Sequence, residues 1–171
     1  MIESVAKPAS SPPAGAEPSV KVDVRALFAT PVIIATHPEA AALNAELAPL
    51  IRARAANEPS TAHSNRGGWQ SSWDFDRWGG DSGARLLGFV YALATKLTMT
   101  RDGKPAQPQW RSNSWANVNR RGDTNEFHTH PGCFWSGAYY VDDGGSDPSL
   151  GGEFEIADPR GPAPAMYRPE L

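Results

Sequence analysis

Asn125-Glu126-Phe127-His128-Thr129-His130-Pro131-Gly132, followed closely by Trp135-Ser136-Gly137-Ala138-Tyr139-Tyr140-Val141, is the stretch on which the reading of this chain turns. Successive side chains of an extended strand point to opposite faces, so Glu126, His128 and His130 share one face while Phe127 and Thr129 take the other. Imidazole is a good ligand for iron, zinc, copper and nickel, and two imidazoles on one strand supply much of a small metal site. Histidines spaced in this way also occur on surfaces and as hydrogen-bonded core residues, and the pair alone does not choose among these. The residues after the pair tip the choice toward a metal. The alternating apolar and aromatic run is succeeded by a polar turn over 142–150, then by Gly151-Gly152-Glu153-Phe154-Glu155-Ile156 and Asp158-Pro159-Arg160.

In this order the elements resemble the Fe(II)/2-oxoglutarate oxygenases, and most closely their bacterial and phage group. The resemblance rests on Asn125 to Pro131, Ser136 to Val141, Gly151 to Arg160 and, upstream, Ser64-Asn65-Arg66-Gly67-Gly68-Trp69. It implies an α+β fold, mainly β, built on an incomplete double-stranded β-helix or jelly roll with N-terminal helices packed on the sheet. It also implies Fe(II), 2-oxoglutarate as co-substrate and molecular oxygen. His128 matches the first metal ligand of such enzymes, and His130 stands where a carboxylate is usual. That exchange leaves a ferrous site one charge unit more positive, and Glu126 on the same face is the candidate to restore the carboxylate. Asn117, Asn125, Tyr139, Tyr140 and Arg160 are the candidates to bind the co-substrate. The distal histidine and the carboxylate-binding arginine of the family lie on later strands. No histidine follows His130 before Leu171, so the resemblance implies a domain truncated at its C-terminal end.

The rest of the chain accords with one domain. Its 171 residues, 40% of them hydrophobic, suffice for a core. Residues 1–20, rich in Pro, Ala and Ser without an aromatic, predict a disordered tail, and 21–171 the oxygenase-like domain. A strand is predicted at 32–35. A helix is predicted over 40–56, with Leu43, Leu47, Leu50 and Ile51 on one face and Pro49 expected to kink or interrupt it. His37 at its start reads as a capping or surface residue. The Trp- and Gly-rich stretch 61–80 predicts a loop whose tryptophans plug the end of a barrel or, alternatively, line a pocket or stack on sugars. His63 within it is a possible stand-in metal ligand, although the family's ligand pattern does not use it so. Asp81-Ser82 reads as the N-cap of a second helix over 85–98, with Leu86, Phe89, Val90, Leu93, Ala94 and Leu97 facing the core. Residues 110–119 alternate as a strand whose polar face carries Asn117 and Asn119, and Arg121-Gly122-Asp123 reads as a turn.

Composition narrows the function further. A net charge of −3 without clustered basic residues gives no footprint for nucleic acid. No apolar run reaches membrane-spanning length, and the single Cys133 fits a reducing cytoplasm. The expected partners are a small-molecule or peptide substrate and, through unpaired strand edges, a second copy of the chain. The leading expectation is a 2-oxoglutarate-dependent hydroxylase or a truncated relative of one. The competing classes are a non-catalytic remnant and a cupin-like metal-binding or sugar-binding jelly roll.

Overall fold

The computed structural model describes residues 30–145 and 152–158. The predicted tail over 1–20, most of the polar turn and Arg160 lie outside these. The chain divides into two units, Met1–Ala35 and Thr36–Leu171. In the first, the described residues 30–35 form no strand where one was expected at 32–35. Pro31 has no N–H to give to a ladder, which weakens any pairing there.

The second unit is α+β. Helix α1 spans Ala40–Asn57 and buries Leu43, Leu47 and Ile51 at helical spacing. Its sequence is rich in alanine, the residue that loses least on entering a helix. The His37 ring nitrogen Nδ1 accepts the Glu39 N–H at 3.1 Å, and the His37 carbonyl accepts the Ala40 N–H at 3.1 Å, so His37 shapes the turn into α1, whose N-cap Glu39 makes no side-chain cap bond. Pro49 does not interrupt α1. It lies on the exposed side, and the packing of Leu43, Leu47 and Ile51 carries the helix across the one missing hydrogen bond.

A short helix α2, Phe75–Trp78, leads through Gly79 into α3, Gly80–Leu97. The predicted cap at Asp81-Ser82 falls inside the first turn of α3, and Gly79 occupies the N-cap with no side-chain bond. Leu86 is buried as expected, but Val90 and Leu97 of the same stripe are exposed. Their covering layer is not formed among the described residues.

Four two-residue strands make two antiparallel pairs. Strand β1 (Asn65–Arg66) pairs with β4 (Thr124–Asn125), and β2 (Trp69–Gln70) pairs with β3 (Asn117–Val118). Both pairs join the same two chain segments, so they are two halves of one ribbon interrupted in the middle. The interruption is Gly67-Gly68 on one side and the turn after Val118 on the other. In that turn the Asp123 N–H donates to the Arg120 carbonyl at 3.0 Å, and Gly122 has φ 91°, as the predicted turn at 121–123 requires. Beyond the strands the ribbon continues through Ser71 N–H to Ala116 O (2.9 Å) and Glu126 N–H to Ser64 O (2.8 Å).

Among the described residues helices supply most of the regular structure, where a mainly β arrangement was expected. Residues 127–130 and 135–141 have no ladder partners among those described, and the predicted strand over 110–119 is reduced to Asn117–Val118. A β segment is stabilised by its neighbours rather than by its own propensity, and these segments find none among the described residues. The core is correspondingly small: Leu43, Leu47 and Ile51 from α1, Trp69, Phe75, Leu86 and Ala116, with Val118, Tyr139 and Val141 packed at its edge.

The double glycine is the stress point of the ribbon. Gly68 has φ 62°, and a Cβ there would meet the Asn119 side chain and, at 3.1 Å, the Val118 carbonyl oxygen. Gly68→Ala is therefore expected to cost about 1–2 kcal/mol for the left-handed backbone alone. Thermal unfolding checks it, and an unchanged melting temperature would refute the strain.

Candidate metal centre

The ribbon delivers His128 and His130 to one place. Just past its last hydrogen bond, at Glu126, the chain leaves the ladder, and the two rings stand with centroids 4.7 Å apart. They share a side, as the alternation predicted, although no strand holds them. Each ring is fixed through Nδ1. His128 Nδ1 lies 2.7 Å from the Glu126 carbonyl oxygen, and His130 Nδ1 lies 2.6 Å from Ser136 Oγ. A carbonyl only accepts, so His128 carries its proton on Nδ1 and keeps the Nε2 lone pair free. His130 Nε2 is buried with no hydrogen-bond partner. Burial holds the His130 imidazole below its ordinary pKa of 6.5, with smaller contributions from His128 and His63. A neutral imidazole whose far nitrogen is oriented by a hydrogen bond is the form in which histidine binds metals.

Two further rings border the pair. Trp115 meets His130 edge-on at 5.7 Å, and His63 meets His128 edge-on at 5.9 Å. The donor set thus fits two positions of a divalent transition-metal site, since imidazole suits iron, zinc, copper and nickel. Among the described residues, no three His, Cys, Asp or Glu side chains are already arranged to hold an ion.

The other sequence candidates occupy separate settings. The Glu126 carboxylate accepts from Arg66 at 2.5 Å in a half-exposed pair, a contact worth at most about 1 kcal/mol. Its main-chain groups are also engaged, with Ser64 and His128. Asn125 ties the ribbon together, its Oδ1 accepting from Asn119 Nδ2 at 3.1 Å and its Nδ2 facing Ser64 Oγ at 3.4 Å. Asn117 sits on β3 opposite Gln70 and is exposed. Tyr140 is exposed and borders an open cleft with Asp143, Gly152 and Phe154.

Tyr139 turns the other way. Its hydroxyl donates to Asn44 Oδ1 on α1 at 2.7 Å, and burial raises its pKa. Tyr139→Phe keeps the ring and removes that bond, so a loss of about 1 kcal/mol is expected. Urea unfolding reads it, and an unchanged midpoint would show that the bond contributes nothing.

Of the tryptophans, Trp69 is buried and donates Nε1–H to the Glu58 carbonyl at 2.9 Å. Trp78 packs edge-on against Phe75, with the Arg54 guanidinium 4.6 Å above its ring. Both serve packing, while Trp73 is exposed with its ring edge-on to His63. His63 is the residue that sequence reasoning set aside. The one signal for it was its place directly before Ser64-Asn65, in the upstream element of the resemblance.

Among the described residues no helix is long and apolar enough to cross a membrane. Neither a curated protein nor a solved structure matches the chain. Residues 113–170, the part of the chain that carries both histidines, match the family model described as "Putative 2OG-Fe(II) oxygenase".

Proposed function

We propose that the protein is an Fe(II)- and 2-oxoglutarate-dependent hydroxylase whose metal is bound through Nε2 of His128 and His130. One observation carries this reading: two adjacent imidazoles, each oriented at Nδ1, of which His130 presents a buried Nε2 with no other partner. The family match over residues 113–170 supports the identity of the metal and of the co-substrate, and a double-stranded β-helix is the fold we propose for that region. When bound, Fe(II) and 2-oxoglutarate supply an oxidative decarboxylation that consumes oxygen, releases succinate and carbon dioxide, and places one oxygen atom on a C–H bond of the substrate.

The chain's own residues have simpler tasks. Glu126 and Ser136 fix the tautomer and tilt of the two imidazoles. Trp115 packs edge-on against the His130 ring and helps to fix its position. Asn117 and Tyr140 are exposed polar groups available to the co-substrate.

Anaerobic titration of the chain with Fe(II) and 2-oxoglutarate tests the reading. A visible charge-transfer band is expected from the chelated complex. Folded protein that develops no band would overturn it.

A further inference from the structure

We infer that His63 is a third imidazole ligand, so that the centre is a three-histidine site closed from the loop before β1; this rests on the reading of His128 and His130 as metal ligands. The geometry comes from the ribbon. Its last ladder hydrogen bond joins Ser64 to Glu126, so the two chain segments leave the ribbon side by side, one at His63 and the other toward His128. In regular alternation His63 would share a face with Phe127, directly opposite it in the register. A bend over 63–64 breaks the alternation, and the His63 N–H donates to Asn65 Oδ1 at 2.9 Å, which holds that bend. The His63 ring consequently lies against His128 and meets Trp73 edge-on at 5.4 Å.

Imidazoles that share one ion, each with a nitrogen about 2.1 Å from it, bring their ring centroids to about 5 Å. His128 and His130 already stand at 4.7 Å, and His63 is 5.9 Å from His128. The three rings do not yet converge on a point, but His63 is exposed, and a movement of its ring by about 1 Å toward His128 brings that pair to the separation of two ligands on one ion. The carboxylate of Glu126, the alternative third ligand, is engaged by Arg66 in this structure. A site of three neutral imidazoles keeps the full double charge of the metal, which suits a dianionic keto acid.

Co(II) affinity of the full chain, measured without oxygen, tests the assignment. His63→Ala is expected to weaken binding at least about tenfold, since even loss of a group that merely orients a ligand costs that much. Free imidazole added to His63→Ala should restore part of the affinity, which a structural role would not produce. His37→Ala should bind as the unsubstituted chain does. Wild-type affinity in His63→Ala alongside lost affinity in His128→Ala would overturn the inference and leave the histidine pair standing. So would a tenfold loss in Glu126→Gln with none in His63→Ala. No Co(II) binding by the unsubstituted chain would overturn both the inference and the reading on which it rests.

Discussion

A His130→Ala chain is expected to develop no charge-transfer band with Fe(II) and 2-oxoglutarate under conditions in which the unsubstituted chain does. The reason lies in what the side chain provides. Its Nε2 is buried and unpartnered, its Nδ1 is anchored on Ser136, and its ring is backed by Trp115. Removing it leaves the His128 nitrogen and whatever exposed group can reach, a set too small to hold a ferrous ion against water. Ser136→Ala keeps the ligand and removes only its orienting partner, so its metal affinity should fall by about 10–100-fold without vanishing. The graded pair separates a ligand from a scaffold residue. Equal, small effects from both substitutions would mean that His130 is an ordinary packed histidine. Neither change touches the α1 core, and the far-ultraviolet circular dichroism should stay that of the unsubstituted chain.

The second large effect is expected in the core. Leu47 is fully buried, as is Leu43 one turn before it. Leu47→Ala removes its buried methyl groups and leaves a cavity in the cluster that also holds Leu43, Ile51, Trp69 and Leu86. The usual cost of such a truncation is about 2–5 kcal/mol. Against a typical stability of about 5–15 kcal/mol for a whole domain, and with only seven hydrophobic residues buried among the described residues, that is a large share. Urea unfolding should show the midpoint falling steeply, with loss of cooperativity at physiological temperature. Leu50→Ala, at a half-buried position of the same helix, should cost clearly less. A loss below about 1 kcal/mol at Leu47 would mean that α1 does not pack as described.

Local signals read correctly here wherever the physics is local. The periodicity of Leu43, Leu47 and Ile51 marked α1, the glycine of Arg121-Gly122-Asp123 marked a turn, and the H-x-H spacing put two rings on one side. The family resemblance was legible too, because it depends on the order of short elements along the chain. The extent of the strands was not legible. Residues 126–141 have the alternation of strands, yet alternation names only a face, and a strand exists only where a neighbour completes its hydrogen bonds.

The same distinction separates the parts of the candidate site. His128 and His130 are two residues apart, so their adjacency was written into the chain itself. His63 lies far from them in sequence, and nothing local connects it to His128. Only the antiparallel register of 64–70 against 117–126, together with the bend at His63, brings those rings together. Tertiary structure likewise decided that Arg66 engages the Glu126 carboxylate and that Asn44 takes the Tyr139 hydroxyl. These pairings depend on which distant segments meet and in what register. A single sequence specifies them only through the total free energy of the fold, and no window of residues displays that sum.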